Sequence, residues 1–455
     1  MNHYLQGNFA PVAKELTSQD LPVTGSIPEA LDGRYLRNGP NPLGSPDPDT
    51  YHWFTGDGMV HGIRIQDGRA LWYRNRWVRT GGVPELLRED DPGGPVTPGA
   101  DFAANTNVIG FGGRTFAIVE AGSKPVELTD ELSTIARCDF DGTLPNGFTA
   151  HPKVDPVSGE IHAAGYYWGR PEVLEYLVIG TDGLVKRRKD VPVPGNPMVH
   201  DMSITEKYAV FYDLPVTFDI EGAMSGSTFP YAWNQSYGAR LGVLPRAGSG
   251  VEDARWFDIE PCYVFHPLNA YDDVGSDGHE LVVLDVVRHK RVFDKSRLAP
   301  DESLPTLWRW TIDLTSGAVK ETQLDDFGCE FPRVDERLVG RRHRYGFAVS
   351  LSPGGEDTGG VSFEGAQILC RDADSGSVRS HEVGPGRAAG EAVFIPSSDE
   401  AQGLDGYLMT LVYDANVDTS ELWILAADDI EGEPVARVHL PQRVPFGFHG
   451  NWVPS

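Results

Sequence analysis

The sequence predicts an all-β fold in which short strands are arranged as a propeller or a closed barrel. Three observations support this fold class. The 455 residues include 52 Gly and 34 Pro beside 40% apolar residues, a balance that favours short strands and tight turns over long helices. Hairpin follows hairpin without a helical period between them, and a closed or radially repeated arrangement leaves no long strand edge exposed. No Pro/Ser-rich linker divides the chain, so we expect a single domain over residues 1–455.

The repeating local unit is a β-rich run, a turn containing Gly, and a second run. Residues 60–78 and residues 174–191 are examples, each with an Asp-Gly turn. A second turn type, DxxSG, begins at Asp155, Asp313 and Asp372, where Asp can cap the turn and Gly can adopt positive φ. Seven four-stranded blades would use about 65 residues each, which long-looped blades tolerate. The repeat is too degenerate to count blades directly.

Two long segments interrupt the hairpin pattern. Residues 81–102 are rich in Pro and Gly, and residues 213–248 combine apolar and aromatic residues in a loop-like context. Long loops in a compact β domain usually form caps or binding loops. Both segments are therefore predicted to form a cap of loops and helices over the axis of the fold. Disorder is the alternative, and it fits the first segment better than the second.

The charge of the chain argues against some partners. With 66 acidic and 39 basic residues, the formal net charge of −27 opposes binding to nucleic acid or to an anionic membrane. The N-terminus lacks a secretory pattern, and no apolar run approaches the roughly 18 residues of a membrane-spanning helix. We therefore predict a cytoplasmic protein without nucleic-acid partners. The four cysteines lack metal-binding spacing and are expected to be reduced and buried: Cys138, Cys262, Cys329 and Cys370.

Four of the thirteen histidines share an unusual context. His151, His200, His266 and His449 each follow a small or apolar residue at the predicted inner end of a strand. Their separations correspond to about one, one and three blade lengths, so their side chains would converge on a propeller axis as a metal site. Each of them taken singly is more often a hydrogen-bonded core residue. Five others lie beside charged residues and are predicted to be on the surface: His279, His289, His343, His381 and His439.

The ligand type restricts the metal. Four neutral imidazoles without a thiolate disfavour structural zinc, and the lack of a carboxylate ligand departs from the common two-histidine, one-carboxylate oxygenase site. Fe(II) is compatible, because six-coordination would leave two positions open. Carboxylates beyond the ligands should orient the imidazole N–H groups. Glu120, Glu330 and Glu391 lie in apolar contexts and are the candidates, because a buried Glu needs a partner.

Along essentially its whole length, the sequence resembles the carotenoid cleavage oxygenase family. The motifs that carry the resemblance are GRYLRNGPNP, YHWFTGDGMVHG, FTAHPKVDP, VHDMSIT, FHPLNAYD, EFPRVD, GEAVFIP and the terminal PFGFHGNW, in that order. The resemblance implies a seven-bladed β-propeller with non-haem Fe(II) on its axis. It implies that the iron ligands are His151, His200, His266 and His449. It further implies that Glu120 bonds His200, Glu330 bonds His266 and Glu391 bonds His449, while His151 has no such Glu.

The resemblance also implies an enzyme, a dioxygenase that cleaves an alkene with O2 into two carbonyl products without an external reductant. Family substrates are lipophilic polyenes, carotenoids and apocarotenoids, and in one branch stilbenes and related phenylpropanoids. The cap would shape a substrate tunnel, although ordinary packing explains each candidate wall residue equally well. These candidates are Phe102, Val119, Phe229, Tyr231, Trp233, Phe265 and Phe448.

One departure from the family pattern bears on the substrate. Stilbene-cleaving relatives place a lysine directly before the first of these glutamates, and Val119 occupies that position here. We therefore expect a carotenoid or apocarotenoid, with a stilbene as the alternative and a metal-free binding module as a remote one. At most weak, peripheral membrane contact is expected, through Val83, Leu86 and Leu87, because the acidic run at residues 89–91 opposes an anionic surface. The sequence makes no prediction about oligomeric state.

Overall fold

Short strands joined by tight turns make up most of the computed structural model, which describes residues 2–247, 253–296, 298–354 and 361–455. The first half of the described chain contains β1 Leu16–Gln19, β2 Val23–Gly25, β3 Gly33–Pro40, β4 Gly58–Gln66, β5 Arg69–Trp77, β6 Asn107–Phe111, β7 Arg114–Ile118, β8 Val126–Leu128, β9 Thr134–Arg137, β10 Lys153–Val154, β11 Ile161–Gly165, β12 Val173–Ile179, β13 Val185–Pro192, β14 Met202–Ile204, β15 Tyr208–Asp213, β16 Val216–Phe218 and β17 Tyr231–Trp233.

The second half continues with β18 Arg240–Pro245, β19 Arg255–Asp258, β20 Pro267–Val274, β21 Glu280–Arg288, β22 Thr306–Asp313, β23 Val319–Gln323, β24 Gly328–Arg333, β25 Tyr345–Pro353, β26 Val361–Ser362, β27 Ile368–Asp372, β28 Val378–His381, β29 Arg387–Ala389, β30 Val393–Pro396, β31 Gly406–Asp414, β32 Thr419–Ala426, β33 Ala436–His439 and β34 Gly450–Pro454.

Helices are few and short. The two α-helices found in the described residues are α1 Val83–Leu87 and α2 Ile220–Met224. Single 3-10 turns occur at His3–Leu5, Gly7–Phe9, Trp53–Thr55 and Glu336–Leu338. None of the helices in the described ranges has the length and apolar character needed to cross a membrane.

The strands form a seven-bladed propeller. Blades 2, 3 and 5 are simple meanders, β6–β9, β10–β13 and β20–β23, whereas blade 4 joins β14, β15, β18 and β19. Blade 6 contains β24 to β28. One end strand of each blade faces the axis, as contacts between neighbouring blades indicate: β34 contacts β6 and β30, β14 contacts β10 and β20, and β20 contacts β24. The seven-bladed fold implied by the resemblance is therefore confirmed.

Both ends of the chain close the ring. In blade 1, β34 pairs antiparallel with β3, ahead of β4, β5 and β1. In blade 7, β2 pairs antiparallel with β33, followed by β32, β31 and β29. Two blades thus combine strands from opposite ends of the sequence, which leaves neither sheet with an open gap.

The predicted turns form as expected from their residues. Residues 60–78 span the β4–β5 hairpin and residues 174–191 the β12–β13 hairpin. In each DxxSG turn the Asp side chain accepts hydrogen bonds from the backbone N–H groups of the residues two and three positions later. The closing glycines have φ of 71°, 79° and 74°, a region open to Gly at little cost.

The core lies between neighbouring blades. The largest cluster of buried apolar side chains joins blades 3, 4 and 5 and includes Trp310, Tyr212 and Phe211. The cysteines are free and buried, as the sequence predicted. Apolar packing of this kind fixes where each blade directs its innermost strand.

The two predicted cap segments contain the two α-helices, with α1 in residues 81–102 and α2 in residues 213–248. The second segment also contains the small β16–β17 sheet. Its end is not loop-like: β18 is a central strand of blade 4, whose four middle residues are all buried, so it shows no alternation to mark it as a strand. Gly248 lies outside the described residues. Val83 is fully buried against Met59 and Trp77, so it cannot contact a membrane as proposed from the sequence.

Candidate metal centre

Four histidines converge on the propeller axis. His151, His200, His266 and His449 lie one or two residues before the innermost strands β10, β14, β20 and β34, which belong to blades 3, 4, 5 and 1. The innermost strands of a propeller lie around its axis, so residues at the beginning of these strands come together although they are far apart in sequence. The structure thus brings together all four histidines singled out from the sequence.

The imidazoles are close enough to share one ion. His151 Nε2 lies 3.0 Å from His200 Nε2, which is 3.3 Å from His266 Nε2. One nitrogen from each of the four rings lies within 4.8 Å of the others. All four side chains are almost completely buried.

Three carboxylates fix the orientation of three rings. Glu120 Oε1 lies 2.7 Å from His200 Nδ1, Glu330 Oε2 lies 2.6 Å from His266 Nδ1, and Glu391 Oε1 lies 3.0 Å from His449 Nδ1. An ionised carboxylate only accepts hydrogen bonds, so each Nδ1 carries the proton and each Nε2 presents a lone pair to the centre. Facing lone pairs repel unless a cation lies among them. The four-histidine cluster therefore fits a metal site.

The pKa values in the cluster describe a place for one positive charge. Burial lowers the pKa of His151, His266 and His449 below the ordinary value, against the opposing carboxylates of the last two. Burial also acts on His200, but Glu120 outweighs it and the pKa of His200 is raised. Burial thus favours the neutral form of imidazole, which is the form that binds a metal ion, at three positions, and Glu120 places negative charge beside the fourth.

His449 is held by close backbone packing at the end of the chain. The backbone N–H of His449 donates to Thr106 O at 3.2 Å, and Arg37 Nη1 donates to Pro445 O at 2.6 Å. A Cβ on Gly447 would lie 2.8 Å from Arg37 Nη2, and a Cβ on Gly450 would lie 2.9 Å from a backbone oxygen. Only glycine fits at either position, so the flanking glycines allow this segment to reach the axis.

Glu391 is charged although it is buried. Arg333 Nη1 lies 3.3 Å from Glu391 Oε2, which also accepts a hydrogen bond from Gly450 N at 2.8 Å. Burial would raise the pKa of Glu391, but Arg333, His449 and the Gly450 N–H lower it to about 2. The carboxylate is therefore anionic at neutral pH and can hold His449 Nδ1–H.

Glu330 holds two histidines. Its second oxygen, Oε1, lies 3.0 Å from His289 Nε2, while Oε2, the oxygen that faces His266, also accepts the backbone N–H of Phe331. Phe331 has φ of 52° in an irregular stretch of β24, which turns its ring onto His266 with centroids 5.5 Å apart. The bulge thus supplies both a hydrogen-bond acceptor and a stacking partner to one ring.

His151 has no glutamate partner, as the resemblance implied. The nearest carboxylate is Asp201, whose Oδ2 lies 3.7 Å from His151 Nδ1, too long for a direct hydrogen bond. Asp201 is instead paired with Lys153, whose Nζ lies 2.8 Å away.

One side of the centre opens into a cavity of about 560 Å³ with mainly apolar walls. His200, His266 and His449 form part of its wall. The predicted wall residues found there are Phe102, Val119, Phe229, Tyr231, Phe265 and Phe448. Trp233 is not in the wall; it lies further along β17, beneath the Arg291 guanidinium at 5.1 Å. Both cap segments contribute to the lining.

Other wall residues were missed from the sequence. Trp53 and Phe54 come from the early YHWFTGDGMVHG motif, which offers no pattern beyond its aromatic content, and Tyr4 stacks on Trp53 at 5.3 Å. The surface prediction for three histidines was wrong, since His289, His343 and His381 are buried and bond Glu330, Asn269 and Ile430 O respectively. Charged neighbours misled because Lys290, Arg342 and Glu382 are exposed while the adjacent imidazoles are buried.

The chain matches known proteins over its full length. A family model described as RPE65, retinal pigment epithelial membrane protein, matches residues 9–454. A carotenoid cleavage oxygenase of Mycobacterium tuberculosis is 48% identical, over 100% of this chain and 98% of the relative. A carotenoid 9,10(9',10')-cleavage dioxygenase of Crocus sativus is 34% identical, over 99% of this chain and 89% of the relative.

Solved structures share the fold. A lignostilbene dioxygenase of Pseudomonas brassicacearum superposes with a TM-score of 0.87 at 29% identity, covering 99% of this chain and 98% of that one. A cobalt-substituted Synechocystis ACO gives a TM-score of 0.85 at 28% identity, covering 98% and 97% of the two chains.

Proposed function

The chain belongs to the carotenoid cleavage oxygenase family and is an oxygenase, and from this premise we propose that it cleaves a carbon–carbon double bond of a carotenoid or apocarotenoid with O2. The products are two aldehydes or ketones, because one oxygen atom ends on each carbon of the broken bond and no other reductant is needed. The observation that carries the proposal is the opening of the four-histidine centre into a cavity with aromatic walls.

Fe²⁺ is the proposed cofactor, and its proposed ligands are His151, His200, His266 and His449. Four neutral imidazoles leave room for two further ligands in six-coordination. Bound Fe²⁺ supplies the redox chemistry that activates dioxygen. The cobalt-substituted neighbour supports a divalent metal on this fold.

The protein's own residues orient and enclose the reactants. Glu120, Glu330 and Glu391 hold three imidazoles in one tautomer, which keeps their Nε2 lone pairs directed at the centre. The aromatic wall excludes water and presents rigid apolar surface to a flat conjugated chain. Positioning the double bond beside the centre is the wall's contribution to rate, and no side chain has to donate or remove a proton.

Two observations favour a polyene over a stilbene. The relative at 48% identity is a carotenoid cleavage oxygenase, whereas the lignostilbene dioxygenase is 29% identical. Val119 lies in the cavity wall directly before Glu120, where it offers a phenol no charged contact. A phenylpropanoid or stilbene double bond is the second candidate, supported by the TM-score of 0.87 to the lignostilbene enzyme.

Parallel incubations separate these candidates. Purified protein loaded with Fe²⁺ is given an apocarotenal or a hydroxystilbene under O2, and the carbonyl products are identified by mass. We expect cleavage products from the apocarotenal and little from the stilbene, with metal-free protein as the blank. Faster cleavage of the stilbene would overturn the substrate assignment while leaving the centre intact.

Variants of the histidines test the centre itself. His151→Ala and His449→Ala should each lose bound iron, measured by elemental analysis, and lose turnover. His439→Ala, which removes a half-buried histidine outside both cavity walls, is the matched control. Stoichiometric iron and full activity in the first two variants, or no metal bound by the unsubstituted protein, would favour a metal-free binding module.

Weak peripheral contact with lipid is the proposed route for substrate, in an otherwise cytoplasmic protein without nucleic-acid partners. Leu86 of α1 and Ile220 and Met224 of α2 are 57%, 66% and 84% exposed. Phe102 and Trp168, both in the cavity wall, are 41% and 42% exposed. Ile220 and Met224 lie on the same short helix as Ala223 of the cavity wall, and Leu86 lies in the other cap segment. These five exposed residues are the apolar rim, and the acidic run at residues 89–91 limits its binding to anionic lipid.

A further inference from the structure

We propose that the metal ion reaches the four-histidine centre through a polar channel on the propeller axis, from the side opposite the apolar cavity. This inference rests on the metal centre of the proposed function and adds its loading route. It assigns a role to the axial channel and to Lys153, Asp201 and Val154, which the cleavage reaction does not use.

A second cavity, of about 450 Å³, reaches the centre from the other side. Its wall includes residues of β6, β10, β14, β20, β24 and β34, the strands that surround the axis. His151, His266 and His449 belong to this wall, and the last two also belong to the wall of the apolar cavity. The histidine cluster therefore separates two compartments along one axis.

The two compartments differ in how they would receive an ion. Aromatic and aliphatic side chains dominate the wall of the apolar cavity. An ion that moves from water into such surroundings loses its hydration shell without gaining polar contacts, which is unfavourable. The second, the axial channel, has a mixed wall with a larger polar share: beside apolar residues such as Leu268 and Trp452, it includes three asparagines and six charged side chains. These are Asn107, Asn269, Asn451, Lys153, Asp201, Arg333, Glu336, Arg337 and Glu391.

The charges of the axial channel are balanced. Asp201 pairs with Lys153 at 2.8 Å, and Arg333 lies 2.8 Å from Glu336 and 3.3 Å from Glu391. Carboxylate oxygens beside cationic partners can replace part of the hydration shell of a divalent ion without trapping it. Asp201 is also the carboxylate beside His151, with 3.7 Å between Oδ2 and Nδ1, so it offers an oxygen donor next to the imidazoles.

A reversible block of the axial channel tests this route on folded protein. Val154 lines the channel and is 40% exposed, so a thiol reagent can reach an introduced cysteine there. The native cysteines are at most 7% exposed and should not react, which mass spectrometry of the unsubstituted protein checks. Metal-free Val154→Cys is labelled with a bulky methanethiosulfonate, and uptake of Co²⁺ is timed by desalting and elemental analysis.

Two labelled variants are the matched controls. Val157→Cys carries the label on the neighbouring turn at a 70% exposed position outside the channel wall, and Ala223→Cys carries it at the apolar cavity. We expect the Val154→Cys label to slow Co²⁺ uptake by about tenfold or more, with unchanged final stoichiometry. A reductant that removes the label should restore the rate, which excludes misfolding.

Three other outcomes would contradict the proposal, each in a different way. Equal uptake rates for labelled Val154→Cys and Val157→Cys would overturn the axial route, and slow uptake only in labelled Ala223→Cys would assign entry to the apolar cavity. If unlabelled protein binds no Co²⁺ at all, the metal centre of the proposed function fails and the route fails with it.

Discussion

Glu330 links two buried histidines, so its charge matters more than its size. Replacing it in Glu330→Gln keeps the shape but places an amide N–H group against imidazole N–H groups, because a glutamine has one acceptor oxygen where Glu330 uses two. We expect metal affinity to fall by about 10–100-fold, the usual effect of losing a partner of a ligand. Competition with a chelator measures it. Glu280→Gln, which alters a half-buried carboxylate paired with Lys207 outside both cavity walls, is the control, and equal affinities in the two variants would contradict this role.

Val119 sets the polarity of the wall beside the centre. Val119→Lys would place an ammonium group there, where a phenol could accept a charge-assisted hydrogen bond worth about 1.5–3 kcal/mol. The ratio of kcat/KM for a hydroxystilbene over an apocarotenal should rise by about tenfold or more. Val119→Met tests length without charge and should leave the ratio nearly unchanged. A similar rise in both variants would show that cavity shape, not charge, selects the substrate.

The lowered pKa of Glu391 predicts acid sensitivity of the metal-free fold. The folded pKa of about 2 lies below the ordinary 4.5, so the charged carboxylate stabilises the protein above pH 4.5 and this stabilisation is lost as pH falls toward 2. The free energy of unfolding, from denaturant titration, should fall over this range by up to about 3 kcal/mol. Glu391→Gln should lack that component. A difference between the two proteins that stays constant with pH would contradict the prediction.

At the residue scale, sequence context singled out the four histidines and the three glutamates, and the family resemblance implied how they pair; the same three pairs lie within hydrogen-bond distance in the structure. Shared context made this possible, because each histidine precedes a strand. His289 could not be found this way, since its neighbours Arg288 and Lys290 make the segment resemble a surface turn. Its burial depends on Glu330 from the next blade, a contact that no local pattern contains.

At the element scale, the last strand carries both closure and chemistry. Removing residues 445–455 deletes β34 and His449 and removes the part of the cavity wall that Phe448 forms. We expect loss of metal and a fall in the free energy of unfolding of more than about 4 kcal/mol, because replacing one buried Phe by Ala alone costs about 3–5 kcal/mol. Elemental analysis and thermal unfolding measure the two effects.

Deletion of Ser455 alone is the control for that truncation. It removes only the contacts of Ser455 with Asp32 and leaves the β34 pairing with β3 in place. Metal content and melting temperature should stay near those of the full chain. Retention of metal by the longer truncation would contradict the role of this strand.

Strand β18 shows why some elements were misassigned. Its middle residues are buried on both faces, so the alternation that marks a half-exposed strand is absent. The preceding cap segment with α2 and β17 has the same apolar and aromatic content. Composition therefore could not show where the cap ends and blade 4 resumes.

At the scale of the whole molecule, the all-β class followed from turn chemistry, but the number of blades did not. Blade 1 takes β34 from the far end of the chain, and blade 7 takes β2 from the other end. Neither blade is a contiguous stretch of sequence, so a search for repeats along the chain cannot count them. The family resemblance supplied the number that periodicity could not.

The apolar rim around the cavity predicts selective attachment to neutral lipid. In a flotation assay, a minor fraction of the protein should rise with phosphatidylcholine vesicles and less with vesicles rich in anionic lipid. Met224→Glu should reduce this fraction. Val417→Glu, a 65% exposed position outside the cavity wall, is the control. Recovery of all protein in the soluble fraction would remove the proposed membrane contact.

The pairing of β34 with β3 also constrains when the centre can form during synthesis. Three of its histidines have left the ribosome once blade 5 has emerged, but the fourth follows blade 7 in chain order. A nascent chain that stalls before residue 449 can therefore present only an incomplete ligand set. Metal binding would then distinguish finished from interrupted translation products, because only a ring joined at both ends presents all four imidazoles.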